Sequence, residues 1–384
     1  MQHKILVKNR TKNLANAADK ENGTQIQKDE EQNQGLNSCQ FWGNHMNTQS
    51  VRRSSAFLTV DLEKDGKQFG HINIPQSPNN DAWGVQQVPI AVIKNGSGPT
   101  LILTGGNHGD EYEGPVTISE LARDLDPARI LGRLILIPTL NNSATQAGQR
   151  VSPLDGLNLN RTFPGDPYGS ITEQISFYLN DHLFPVADAY ADLHSGGSSL
   201  HLLPSAIVEP ALEKEHMERN IALAKAFAAP YTVVIDNLGD PRTAGAAAVR
   251  AGLTTVGTEM AGGGIVRIDA LSICKRGVQN LMSHLGLFPE NHQASTVVEE
   301  KILKLPGPKG FVFAPMEGVF EPFHELGQEV SVGQEAGLVH SLVNPFEPPR
   351  VMRYETDGIL YGLRMIGKVV KGNCCAVIAV EFEG

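Results

Sequence analysis

The chain is short of several things, and each shortage excludes something. It holds four cysteines in 384 residues: Cys39, Cys274 and the adjacent Cys374 and Cys375. These fit neither a zinc–cysteine spacing nor a disulfide framework, which points to a reducing compartment. No apolar run approaches the roughly 18 residues that a membrane span needs. The N-terminus has no signal-peptide core, and its acidic residues argue against a transit peptide. A cytoplasmic protein without a membrane partner is therefore expected. Basic excess is also missing: the net charge is −10, which argues against nucleic acid as a main partner. The first 55 residues carry eight Lys/Arg and five Asp/Glu, so the remainder carries about −13.

Apolar residues still make up 41% of the chain, enough for one large domain and a smaller one. Residues 1–54 are rich in Asn, Gln, Lys and Thr and poor in large apolar groups. Such a segment buries too little to offset its ordering entropy, so it reads as a disordered extension. Met46 stands just before the first strand-like run and is a candidate start; N-terminal sequencing of native protein that found Met1 would remove that expectation.

From Ser55 the pattern changes. Ala56–Leu62 and Gly70–Ile74 alternate with period two, as half-buried strands do. Val88–Ile93 is a further strand, closed by the turn Asn95-Gly96-Ser97-Gly98. Apolar strands then alternate with amphipathic helices. Strands are predicted at Leu101–Leu103, Leu134–Pro138, Ala187–Leu193, Tyr231–Ile235 and Thr254–Glu259. Helices are predicted at Pro115–Leu125, from Ile171 behind a capping box at Ser170, at Pro210–Ala229 and at Leu271–Leu285. This implies an α/β fold: a mixed or parallel sheet with helices on both faces, over 55–290. Residues 291–304 read as a polar linker. Over 305–384, Gly318-Val319-Phe320, Gly327 and Val330 recur as Gly358-Ile359-Leu360, Gly367 and Val370. Two related all-β halves suggest a barrel-sandwich-like domain similar to biotinyl and lipoyl carriers. The hairpin that carries a modified Lys in those proteins reads Glu355-Thr356-Asp357 here, so the domain is expected to pack against the catalytic cleft or to mediate homo-oligomer assembly.

Chemistry concentrates at four places. In Thr104-Gly-Gly-Asn-His-Gly-Asp-Glu-Tyr-Glu-Gly-Pro115, His108 and Glu111 lie three apart on a turn between strand and helix. That spacing lets an imidazole nitrogen and a carboxylate oxygen meet one cation. A hydrolytic zinc site needs three protein ligands and an open position for water. His194, at a strand end before Ser195-Gly196-Gly197, is the best third ligand, with His201 a weaker rival; Asp192, on the same side of that strand, is a candidate acceptor behind it. Two imidazoles and a carboxylate suit zinc, and also cobalt or manganese. In Asn158-Leu-Asn-Arg-Thr-Phe-Pro-Gly165, Arg161 offers a planar fork for a carboxylate, with Asn160 beside it. Arg150 is a candidate for polarising a scissile carbonyl. Glu259 closes a buried strand before three glycines, a place where a general base can stand.

H-x-x-E, N-R, a strand-end H-S-G and a strand-end Glu, in this order, resemble the succinylglutamate desuccinylase/aspartoacylase family of zinc carboxypeptidase-like hydrolases. The resemblance runs from about Ser55 to the C-terminus. Gly105–Pro115, Asn158–Gly165 and Leu193–Gly197 are most similar to the N-acetyl-L-2,4-diaminobutyrate deacetylases of ectoine degradation. The resemblance implies one Zn2+ per subunit on His108, Glu111 and His194. It implies Arg150 as carbonyl polariser, Asn160 and Arg161 as carboxylate binders, Glu259 as base, and a small N-acyl amino acid as substrate. The wider family has Asp where Asn158 stands, so the partner behind the metal-bound His is neutral here. On the residues alone, a deacylase of another N-acyl amino acid, a carboxypeptidase or a non-catalytic zinc-binding protein also fits.

Overall fold

The computed structural model describes residues 53–288 and 301–383. The expected extension over 1–54 lies, but for its last two residues, outside them, as do residues 291–300 of the expected linker. The described chain opens with β1 (Phe57–Leu58), β2 (Gly66–Gln76) and β3 (Gly84–Asn95), an antiparallel set. β4 (Thr100–Gly105), α1 (Glu113–Asp124), β5 (Gly132–Ile137), α2 (Asn142–Ala147), α3 (Ile171–Tyr178) and β6 (Ala189–His194) follow. Then come β7 (Leu200–Leu202), β8 (Ser205–Val208), α4 (Lys214–Phe227), β9 (Tyr231–Val234), α5 (Ala244–Arg250), β10 (Thr254–Glu259) and α6 (Ile268–His284).

β5, β4, β6 and β10 run side by side and parallel. Every residue of β4 and β5 is buried, as expected of strands covered on both faces. Alternation sorts their side chains. Leu101, Leu103, Leu134 and Leu136 pack with Ile118 of α1, Leu223 of α4 and Leu281 of α6. Ile102, Ile135 and Ile137 pack on the other face with Ile175 of α3 and Ala247 of α5. The expected α/β architecture is thus present. Some element boundaries move. α1 begins at Glu113, so Pro115 sits inside its first turn rather than opening it. β7 and β8 were not expected; Leu200–Leu202 is too short to show a period.

The C-terminal part comprises β11 (Lys301–Lys304), β12 (Phe311–Phe313), β13 (Gly318–Pro322), β14 (Glu329–Val330), β15 (Glu335–His340), β16 (Arg350–Arg353), β17 (Gly358–Arg364), β18 (Lys368–Val369) and β19 (Cys374–Glu381). The expected linker over 291–304 is therefore corrected at its end. Lys301–Lys304 is a strand, because β9 on one side and β19 on the other supply its backbone partners. The two repeated halves exchange strands: β13 of the first pairs with β18 of the second, and β14 with β17. β17 also pairs with β7, and β19 with β11, so the β-rich part continues the large sheet. No helix among the described residues is long and apolar enough to cross a membrane.

Candidate active site

The C-terminal ends of β4, β6 and β10 reach one edge of the sheet. Gly105 is level with Leu193, and His194 with Glu259. Open α/β sheets present ligands at that edge. The loop after β4 carries His108 and Glu111. Of the four glycines that punctuate it, only Gly106 needs a left-handed angle (φ 64°). Gly109 is there for room: a Cβ would stand 2.0 Å from the carbonyl carbon of Ala144 in α2.

Three of the expected residues converge. His108, Glu111 and His194 each offer a ligand atom, all within 4.8 Å of one another. Nδ1 of His108 lies 2.7 Å from Glu111 Oε1, and Nδ1 of His194 lies 2.8 Å from Oε2. The outer nitrogens are held from behind. His194 Nε2 is 2.8 Å from Asp192 Oδ2, and Asp192 also accepts from Thr104 and Asn107. His108 Nε2 is 3.2 Å from Asn158 Oδ1, which is fixed as an acceptor by the backbone N–H of Asn160. Both outer nitrogens must therefore carry the proton. With both imidazoles neutral, both Nδ1 lone pairs then aim at one buried carboxylate, an arrangement that a cation between them would satisfy. The donor set fits a divalent metal ion, and Asn158, though neutral, places an acceptor oxygen behind His108 at the position where the wider family has Asp. His201 is not part of the cluster; it sits on β7 and pairs with β17.

Burial pushes the Glu111 carboxyl up, but the two imidazoles beside it outweigh burial and hold it well below the usual range. Burial pulls His194 down, yet Asp192 and Glu111 raise it well above an ordinary histidine. In His108, burial prevails and lowers the pKa. Glu259 is raised, first by burial and then by the charge of Glu111, and its buried Oε2 has no hydrogen-bond partner among the described residues.

Arg150 reaches the cluster from the loop after α2, with Nη1 3.3 Å from Glu111 Oε1. Asn160 and Arg161 stand on a short 3-10 turn, Leu159–Arg161. Both already have partners: Asn160 Oδ1 accepts from Ala244 N, and Arg161 Nε lies 3.3 Å from Asp240. All the expected site residues except Glu111 line one cavity of about 250 Å3. Sequence reasoning missed three of its other walls. Tyr361 and Val377 come from the β-rich part, and Glu209 follows β8. Glu209 had a findable signal, since it closes an apolar run as Glu259 does. Tyr361 had none, because only tertiary contact brings β17 here.

Residues 97–285 match the succinylglutamate desuccinylase/aspartoacylase catalytic domain. The chain is 40% identical over 333 residues to the N-alpha-acetyl-L-2,4-diaminobutyric acid deacetylase of Halomonas elongata, covering 86% of this chain and 97% of that one. The product-bound ectoine utilization protein EutE (DoeB) of Ruegeria pomeroyi superposes with a TM-score of 0.81 at 37% identity, over 85% of this chain and 99% of that one. A succinylglutamate desuccinylase/aspartoacylase of Rhodobacter sphaeroides gives 0.79 at 37% identity, over 86% and 100%. With its fold, its His–Glu–His cluster and these relatives in agreement, the chain belongs to the succinylglutamate desuccinylase/aspartoacylase family and is an amidohydrolase of linear amides.

Proposed function

We propose that the chain is a zinc-dependent deacylase of an N-acyl amino acid, with N2-acetyl-L-2,4-diaminobutanoate as substrate and L-2,4-diaminobutanoate and acetate as products. The observation that carries the metal is the convergence of two Nδ1 lone pairs on Glu111. The substrate rests on the relative whose name specifies it. His108, Glu111 and His194 hold the ion. Bound there, zinc supplies Lewis acidity, which acidifies water to a pKa of about 7 and polarises a carbonyl.

The remaining work falls to the chain's own side chains. Glu259, on the wall of the cavity with an oxygen that has no partner among the described residues, takes the proton of the attacking water. The carbon–oxygen bond forms, and negative charge gathers on the former carbonyl oxygen. Arg150 faces that charge with donors that need no rearrangement. Glu259 then delivers its proton to the amine as the carbon–nitrogen bond breaks. Arg161 and Asn160 hold the amino-acid carboxylate, which competes with Asp240 for Arg161. The cavity suits a small acylated amino acid and leaves little space for a longer peptide. The test is a panel of acetyl, succinyl and aspartyl-type N-acyl amino acids assayed with zinc-loaded enzyme. Turnover of the acetyl-diaminobutanoate above the others is expected; inertness toward every N-acyl amino acid would end the proposal.

A further inference from the structure

Glu209 stands immediately after β8, beside the parallel β9 whose end leads to Asp236. Both carboxylates line the catalytic cavity. Asp236 is committed locally, since its Oδ1 caps the turn by accepting from Leu238 N. Glu209 is not. Its backbone oxygen accepts from Asn220, but among the described residues its carboxylate has no ion pair and no side-chain hydrogen bond. The neighbouring cations are occupied elsewhere: Arg161 pairs with Asp240, and Arg250 donates to the carbonyl of Pro241. Gly245 stands close beside it, and a larger residue there would crowd the carboxylate, since a Cβ would come to 3.0 Å from Glu209 Oε2. A half-buried carboxylate with no partner is costly. One facing a substrate cavity is explained by a cation that arrives with the substrate.

Position indicates which part of the substrate it meets. Arg161 lines the cavity together with Arg150 and Glu209 and lies within electrostatic reach of both. An amino acid held by its carboxylate at Arg161, with its acyl group toward Arg150, has its side chain left to point at Glu209. We infer that Glu209 is a specificity-determining residue that receives an aliphatic ammonium on the side chain of the N-acyl amino acid, with Asp236 adding negative potential behind it. This rests on the deacylase reading and narrows it: acidic side chains are repelled from this wall, and neutral ones leave Glu209 unpaired. The raised proton affinity of Glu209, pushed up to about 7 by burial and then by Asp236, is what a carboxylate awaiting a counter-ion shows.

The test compares N2-acetyl-L-2,4-diaminobutanoate with the isosteric N-acetyl-L-norvaline, which replaces the ammonium with a methyl group. The wild type should favour the cationic substrate by more than tenfold in kcat/KM, mainly through KM. In Glu209→Gln that preference should fall at least tenfold. The ratio is read within one protein sample, so loss of folded enzyme cancels. Glu209→Asp, which keeps the charge, should retain part of the preference. A ratio unchanged in Glu209→Gln, or a wild type indifferent to the ammonium, overturns the assignment while leaving the deacylase reading intact. An enzyme inert on both compounds overturns the acetyl-diaminobutanoate substrate of that reading instead.

Discussion

Replacing Gly109 by Ala should damage the site more than the fold. The glycine lies between His108 and Glu111 on the loop after β4. Its Cβ would stand 2.0 Å from the carbonyl carbon of Ala144, 2.2 Å from its oxygen and 2.4 Å from Thr145 N. Real Cβ atoms essentially never come within 3.0 Å of such neighbours, and all three here are backbone atoms. Rotamer changes cannot relieve the clash, so the loop and α2 must separate by about 1 Å. Overpacking of this kind costs about 1–3 kcal/mol of stability. The greater effect is on geometry, because the loop carries two of the three ligand atoms and α2 leads to Arg150. A displacement of about 1 Å costs about 100-fold in rate. Gly252→Ala is the control: its φ is 86° and nothing lies within 4 Å of the added Cβ, so it pays backbone strain alone, about 1–2 kcal/mol. Denaturant unfolding and kcat/KM would be measured for both variants. Gly109→Ala should lose about two orders of magnitude in kcat/KM and Gly252→Ala almost none. If Gly109→Ala kept kcat/KM within threefold of wild type, the close-approach argument would be refuted.

Glu259→Gln should keep its metal and lose turnover by about 100-fold or more, the scale of a general acid–base group; undiminished turnover removes Glu259 from the reaction. Asp192→Asn keeps the shape but not the charge behind His194, so metal affinity in a chelator competition should fall about 10- to 100-fold; equal retention would contradict the orienting role. Arg161→Ala should raise KM for substrates with a free carboxylate; equal damage to analogues lacking the carboxylate would rule out the clamp. For Glu209, the folded-state pKa of about 7 is above the ordinary 4.5, so the folded state binds more protons in that interval. Stability from this group is present below about pH 4.5 and is lost as pH rises toward 7. Glu209→Gln should therefore gain on wild type, by up to a few kcal/mol, as unfolding is followed from pH 5 to 8; parallel stability curves would disprove the shift.

Much of the fold was legible because short-range rules govern it. Leu101–Leu103 and Leu134–Ile137 read as buried strands because parallel strands covered on both faces have no polar side to show. Glu173 closes the capping box expected at Ser170, with its carboxylate 2.8 Å from Ser170 N. The internal repeat was visible as two sets of glycines at equal offsets. That its halves exchange strands was not, because pairing between β13 and β18 leaves no local trace. Strands as short as β7 and β11 escaped for the same reason: their neighbours, not their own pattern, stabilise them.

By itself the sequence determined the alternating α/β order and put forward three candidate ligands at or just after strand ends, because periodicity and turn chemistry act between residues near in the chain. Only the tertiary structure decided which nitrogen of each imidazole faces Glu111, that the Asn158 oxygen lies behind His108, that Arg161 pairs with Asp240, and that Glu209 and Tyr361 share the cavity. Those outcomes depend on distances between segments up to some 250 residues apart in the chain, and spacing along a chain says nothing about which side chains its folded path brings within reach.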